Sequence, residues 1–346
     1  MYWYVKYPLY AVFIAILLWI GYGVFKKFAP EGGLPEVMEL NEDKNAGTSV
    51  ETGEDNGGGG TSHETRMGEG GWAHLKPVTE LKPAKPEQVP EFLRQAGEQL
   101  KGDNLLAARN LCYRILAAST VKPFSDVWWK TVDILGRVNL IFFKTDAPCA
   151  EKVRYQVQAG DTLIGIANAY ETTVEAIQEA NGLDPANASI YPGMILNIYV
   201  GDWAIDVSKA NFALILYDSG RIFKVYRIGI GKQDRTPVGK FVIKNKIREP
   251  DWTPPGRRIP FGDPENVLGT RWLGLIPVGD TDPTLRGYGI HGTWQPESIG
   301  TASSQGCIRL ENGQVNELFN IIPYPPPIER LLEKPETGTR VTITNE

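Results

Sequence analysis

Two residues in the stretch HGTWQPESIGTASSQGCIRL, residues 291–310, could do chemistry together: His291 and Cys307, sixteen positions apart. A cysteine attacks as its thiolate, and a free thiol with a pKa of about 8.5 is mostly protonated at neutral pH. An imidazole that takes the proton supplies the nucleophile. The chain has three histidines and three cysteines, and one of each falls in this stretch. Acyl transfer also needs donors for a developing oxyanion. Gly306 leaves the backbone beside the sulfur uncrowded, so the N–H groups of Gly306 and Cys307 are the expected donors. A third group must orient the imidazole. No Asp or Glu has a claim by spacing, which leaves a backbone carbonyl, and Gly292 is adjacent. The alternative is a cysteine and a histidine that simply pack as core residues.

The elements that must position this pair have a period of two. WAIDVSKANFALILYDSGRIFKVYRIGIG, from Trp203, reads as three strands, with turns at Ser208–Asn211 and at Asp218-Ser219-Gly220. TPVGKFVIKNKI and TRWLGLIPV add strands, RVTIT closes the domain, and GQVNELFNII supplies a short helix. Residues 202–345 are therefore expected to form a mainly-β domain. REPDWTPPGRRIPFGDPEN, residues 248–266, is either a lid over the cleft, with Trp252 as a stacking surface, or a plain long loop.

This region resembles the catalytic domain of the YkuD-type L,D-transpeptidases. The resemblance rests on Ile228-Gly229-Ile230-Gly231, Thr236-Pro237-Val238-Gly239-Lys240-Phe241, Leu268-Gly269-Thr270-Arg271-Trp272, Tyr288-Gly289-Ile290-His291-Gly292-Thr293 and Ser304-Gln305-Gly306-Cys307-Ile308-Arg309-Leu310. It implies that Cys307 attacks the carbonyl joining the third stem-peptide residue of peptidoglycan to D-Ala, forming a thioester that an acceptor amine resolves into a 3→3 cross-link. It implies His291 as base and acid, and the Gly292 carbonyl as the group orienting the ring. Arg309, Ser304 and Thr293 fall at substrate-facing positions. For Arg309 a structural salt bridge competes with that role, and for Ser304 a turn. One departure stands out: the family most often has His or Lys where this chain has Gln305. Two rivals remain open at this stage, an L,D-carboxypeptidase that uses water as acceptor and a non-catalytic wall-binding scaffold.

Residues 152–200 read as strand, helix, helix, strand. Gly-Asp-Thr at 160–162 is a turn and cap, Thr172-Thr173-Val174-Glu175 a capping box, and Asn181-Gly182 a helix stop. Val157-Gln158-Ala159-Gly160-Asp161-Thr162-Leu163, Asn181-Gly182-Leu183, Tyr191-Pro192-Gly193 and Leu196-Asn197-Ile198 resemble a lysin motif (LysM) domain. The resemblance implies binding of glycan strands through Gly160, Asp161, Thr162 and Leu163 on one side, and residues 182–190 on the other.

Upstream, residues 87–146 have helical periodicity over three segments and form an expected helical spacer, its first pair tetratricopeptide-like, with a protein partner conceivable there. Cys112 is expected in the core of the second helix, and a Cys112–Cys149 disulfide is left open. Residues 31–71 carry eleven glycines and ten acidic residues against two basic ones, which predicts a disordered linker over 31–86. Residues 8–25 are eighteen residues without a charge, long enough to span a bilayer as one helix. The whole chain thus reads as multi-domain α+β with one N-terminal transmembrane helix, in the cell envelope, its catalytic part outside the cytoplasm. A net charge of −5 argues against nucleic acid as the main partner. There is no C-x-x-C pair, and neither metal nor cofactor is expected.

Overall fold

The computed structural model describes residues 81–346. The apolar stretch at 8–25 and most of the acidic linker lie outside them. Among the described residues no helix is long and apolar enough to cross a membrane.

Three helices come first: α1 (Val89–Lys101), α2 (Leu105–Leu116) and α3 (Asp126–Lys144). Ser125 caps α3 as its sequence position suggests, accepting from the Trp128 N–H. The expected linker ends earlier than residue 86. Ala84 is buried, its N–H donates to the Arg114 carbonyl, and Arg114 donates back to the Lys82 carbonyl, so these residues are fastened to α2.

The next unit is β1 (Lys152–Gln156), α4 (Leu163–Ala169), α5 (Val174–Ala180) and β2 (Ile195–Tyr199), the two strands pairing antiparallel. Thr162 caps α4. The cap of α5 is Thr173, not Thr172, because it is the Thr173 hydroxyl that accepts from the Ala176 N–H. Glu175 is then free to pair with Arg248 instead of closing a capping box.

The remaining chain builds an eight-stranded mixed sheet in the order β11-β9-β8-β7-β12-β3-β4-β5. Its strands are β3 (Trp203–Ser208), β4 (Ala213–Asp218), β5 (Arg221–Arg227), β7 (Gly239–Arg248), β8 (Arg271–Pro277), β9 (Gly289–His291), β11 (Ile308–Arg309) and β12 (Arg340–Thr344). A parallel pair of β6 (Ile230–Gly231) and β10 (Ala302–Ser304) lies beside it. Helices α6 (Asn312–Ile321) and α7 (Ile328–Glu333) follow β11.

The helical segment is a layer of this fold and not a spacer. β4 is apolar on both faces: Leu214 and Leu216 join the main core, while Ile215 packs with Val89, Ile115, Trp128 and Val132 of the helices. A strand buried on both faces needs a cover on each, and α1–α3 supply the second one. Asn139 donates to the Phe223 carbonyl at 2.9 Å and Tyr113 to the Ile222 carbonyl at 3.2 Å. Phe143, Tyr199, Trp203 and Phe223 form one aromatic cluster where the helices, the βααβ unit and the sheet meet. Cys112 lies in the helical core and Cys149 in the main core, both as free thiols.

Candidate active site

His291 ends β9 and Cys307 immediately precedes β11, and these two strands run parallel with Ile290 opposite Ile308 and His291 opposite Arg309. Side chains alternate across a sheet. Ile290 and Ile308 therefore enter the core, where they are fully buried, and His291 and Arg309 share the other face. Cys307, two residues before Arg309, opens onto that face. The sixteen-residue separation is spent on a loop that returns the chain beside β9.

The imidazole is fixed by a carbonyl and by a ring. Its Nδ1 lies 2.6 Å from the Gly292 carbonyl oxygen. A carbonyl only accepts, so Nδ1 carries the hydrogen and Nε2 keeps its lone pair. The Trp272 ring, on the facing strand, stacks on His291 at 5.9 Å and 20°. Burial pushes the His291 pKa down to about 4, only partly offset by the carbonyls of Gly292 and Leu268. Burial pushes the Cys307 thiol up, with the Gly289 backbone and Arg309 pulling the other way. Burial thus favours the uncharged form of both partners. The thiol donates to the Gly287 carbonyl at 3.5 Å.

Gly306 has φ +139°, and a Cβ there would meet the Tyr288 ring at 2.8 Å and the Arg235 carbonyl oxygen at 3.0 Å. Only glycine fits. Its N–H, however, donates to the Ser304 hydroxyl at 3.0 Å, which corrects the expectation that it faces an oxyanion. Ser304 in turn donates to the Cys307 carbonyl at 2.7 Å and is buried. It is the brace of the turn. The Cys307 N–H is left as the amide of this turn with no protein acceptor among the described residues. Thr293 is also turned inward: its hydroxyl accepts from the Gln295 N–H at 3.0 Å. Among the described residues Arg309 forms no salt bridge; it donates to Gln295 at 3.4 Å and leaves its Nε unsatisfied. The structural salt bridge that competed with a substrate-facing role is therefore not formed among them.

Residues 250–266 are ordered by their own contacts. Trp252 and Ile259 exchange two backbone hydrogen bonds at 2.8 Å, and the Asn266 amide donates to the carbonyls of Pro250, Ile259 and Pro260. The Phe261 ring of this segment lies 6.3 Å from the Trp294 ring, in the loop after β9.

In the βααβ unit, Gly160, Asp161, Thr162 and Leu163 form one turn. Asp161 accepts from the Tyr155 hydroxyl and from the Gln158 N–H, so its carboxylate braces the turn. Ile164 and Tyr191 stand out from the neighbouring surface at 66% and 64% exposure.

Comparison with known families matches residues 202–343 to the YkuD L,D-transpeptidase catalytic domain and residues 155–198 to the LysM domain. A putative L,D-transpeptidase YkuD of Bacillus licheniformis is 38% identical over 197 residues, which is 55% of this chain and 98% of that protein. The putative L,D-transpeptidase YkuD of Bacillus subtilis is 36% identical over 195 residues, 55% of this chain and 97% of that protein. The chain belongs to the L,D-transpeptidase family. Its members are cysteine-dependent acyltransferases acting on peptidoglycan, so the scaffold reading falls. The probable L,D-transpeptidase YcfS of Escherichia coli is 29% identical over 209 residues, 54% of this chain and 59% of that protein.

Three residues around the site of this L,D-transpeptidase escaped the sequence reading. Asn312 accepts from the Thr270 N–H at 3.1 Å and donates to the Thr293 carbonyl at 3.0 Å, tying two loops beside Gly292. The Thr236 hydroxyl donates to the Gly306 carbonyl at 2.9 Å and accepts from the Gly231 N–H at 2.7 Å. Arg235 donates to Gln305 at 2.5 Å. Only Thr236 lay within a quoted motif, and none of the three has a spacing that reports its partner.

Proposed function

We propose that this chain is a membrane-anchored peptidoglycan L,D-transpeptidase with Cys307 as nucleophile and His291 as base. The observation that carries this reading is the His291–Gly292 contact, which leaves Nε2 unprotonated on the face that Cys307 shares. The Cys307 sulfur attacks the carbonyl carbon between the third stem residue, diaminopimelate, and D-Ala, and the thiol proton passes to Nε2. The carbonyl electrons move to oxygen, where the Cys307 N–H meets the charge. The tetrahedral species then collapses. The C–N bond breaks, the imidazolium protonates the departing D-Ala amine, and a thioester remains. An acceptor amine gives its proton to Nε2, attacks the thioester and expels the sulfur, which regains the proton. Because both groups start uncharged, proton transfer accompanies attack and the two do not wait as an ion pair.

Arg309, whose charge acts on the Cys307 thiol, favours the thiolate-like sulfur of the attack. The LysM unit, over 152–200, holds glycan strands at Gly160, Asp161, Thr162 and Leu163, with Ile164 and Tyr191 as apolar surface for a sugar ring. The catalytic domain occupies 202–345, the helical segment 87–146 with a tetratricopeptide-like first pair, and the anchor 8–25, with the acidic linker between the anchor and Lys82. Peptidoglycan lies outside the cytoplasm, so the anchor would leave the N-terminus inside and the rest outside.

The test is to incubate the full chain with a tetrapeptide stem and follow intact mass and free D-Ala. A thioester at Cys307 and D-Ala release are expected, and a cross-linked product when an amine acceptor is present. A chain that forms no thioester with any stem peptide would rule the reading out.

A further inference from the structure

Gln305 is neutral where the family most often has His or Lys, and the structure shows what it holds. Its side-chain oxygen accepts from Arg235 Nη1 at 2.5 Å, and the Gln233 oxygen accepts from Arg235 Nη2 at 3.4 Å. An amide oxygen orients a guanidinium without neutralising it. The nearest acid in sequence, Asp234, is turned away and ion-paired with Lys209. Among the described residues Arg235 has no carboxylate partner.

The loop that carries Arg235 is held in place at some cost. Gln233 and Asp234 both have left-handed backbone, at φ +52° and +59°, which costs about 1 kcal/mol or more for each residue that is not glycine. Thr236 fastens the loop to the Gly306 carbonyl. The Arg235 carbonyl itself lies against Gly306, the residue before the nucleophile. An exposed arginine is normally free to sample many rotamers. This one is pinned by two neutral groups, on a strained loop, at the rim of the cleft.

The cation that lowers the Cys307 thiol is Arg309. Arg235 is exposed, on the loop whose backbone carbonyl lies against Gly306. We infer that Arg235, held by Gln305, is a specificity-determining residue that binds a carboxylate of the acyl-donor stem peptide. This rests on the transpeptidase reading. The donor has two carboxylates flanking the scissile carbonyl, that of the leaving D-Ala and the one on the diaminopimelate side chain. A planar guanidinium suits either.

The proposal is tested on the full chain in a Cys307→Ala background, by calorimetry with three tetrapeptides: one unmodified, one amidated at D-Ala and one amidated at the diaminopimelate side chain. Arg235→Gln is expected to weaken binding of the unmodified peptide about tenfold. Gln305→Glu should do the same, because the new carboxylate keeps Arg235 in place but cancels its charge. One amidated peptide should bind the parent about tenfold more weakly and be indifferent to Arg235→Gln, and that peptide identifies the carboxylate. In the enzyme with Cys307 intact, Arg235→Gln should raise KM and leave kcat nearly unchanged. The assignment is overturned if Arg235→Gln alters affinity by less than twofold, if it weakens all three peptides equally, or if the parent binds none of them. Failure of the intact enzyme to form a thioester would count against the transpeptidase reading, while these binding arms still decide the role of Arg235.

Discussion

Arg109 and Arg309 are both buried, at 2% and 9% exposure, yet they are furnished in opposite ways. Arg109, on α2, donates to Glu151 at 3.1 Å, and Arg221 reaches the same carboxylate at 3.3 Å. The Arg109 guanidinium also lies 4.6 Å over the Phe142 ring. Arg309 has one long contact to a glutamine and no carboxylate among the described residues. Taking a charge out of water costs several kcal/mol unless a partner offsets it. At the junction of the helices, the LysM unit and the sheet, the fold offsets that cost on the spot. In the cleft it leaves the cost standing beside Cys307. The difference separates a charge that locks structure from one left without an ion pair beside the cysteine.

The sharpest way to break the comparison is at the base. His291→Asn keeps a polar group of moderate size and removes the proton acceptor. Thioester formation, followed by intact mass, should fall about 10³-fold, while the junction and the unfolding transition at pH 8 stay close to the parent's. A variant that acylates within tenfold of the parent would mean that Cys307 finds its base elsewhere.

The two arginines come next. Arg109→Met leaves Glu151 buried with only the partly exposed Arg221 for company, and should lower the unfolding free energy by about 3–5 kcal/mol. The kcat of the folded fraction should be preserved. Arg309→Met removes a charge that had no carboxylate, so stability should hold or rise, while thioester formation slows about tenfold. Chemical denaturation beside a single-turnover assay reads both. The reverse pattern, a stable Arg109→Met and an unstable Arg309→Met, would collapse the distinction.

The same two regions differ in how far the sequence reported them. In the cleft the sequence motifs and the strands coincide: His291 ends β9 and Cys307 precedes β11, and these two short parallel strands pair side by side. The LysM unit was legible through caps and turns that act within a few residues. The junction was not. FALILYD read as one strand of a hairpin, but its apolar residues on both faces also demanded a second covering layer. That signal was present in Ile215 and Tyr217, and the helical segment was nevertheless read as a spacer. Glu151, Arg109 and Arg221 meet from three parts of the chain, and no local pattern announces such a meeting. Within the cleft the same limit applies. The Gly306 N–H and the Ser304 and Thr293 hydroxyls suited the site by position, yet each is taken by a nearby backbone or hydroxyl partner. Which hydrogen bond a short polar group makes is decided by geometry that spacing alone does not contain.

A smaller effect follows from titration. The unfolded chain protonates the His291 ring near pH 6.5, whereas the folded chain resists until about 4. Between those values the unfolded state binds the extra proton, so this ring's contribution is complete above pH 6.5 and declines as pH falls toward 4. The slope is about 1.4 kcal/mol per pH unit, or about 3 kcal/mol across the window. The difference in unfolding free energy between the parent and His291→Asn should follow that curve, which cancels the carboxylates common to both. Cys112 and Cys149 sharpen the contrast from the other side. Burial holds both thiols up at about 12, so iodoacetamide at pH 8 should label Cys307 and spare them until the chain unfolds.

The smallest expected effect concerns Asn312, which belongs to neither arginine. It starts α6, and Lys246 satisfies carbonyls at the other end of that helix, donating to Phe319 at 2.7 Å and also to Ile322. A Cβ at Gly292 would lie 2.1 Å from the Asn312 side-chain oxygen, so the helix start and the residue that orients His291 are in direct contact. Asn312→Ala frees the Thr293 carbonyl and the Thr270 N–H and should cost about 1–2 kcal/mol in stability. If Asn312 acts only by holding the fold, the acid limb of the acylation rate stays near pH 4. If it positions the Gly292 carbonyl, the ring loosens, water enters, and the limb moves up toward 6.5 while kcat falls about tenfold and KM does not change. We expect the second result, because the two loops that Asn312 joins are the ones that close around the imidazole.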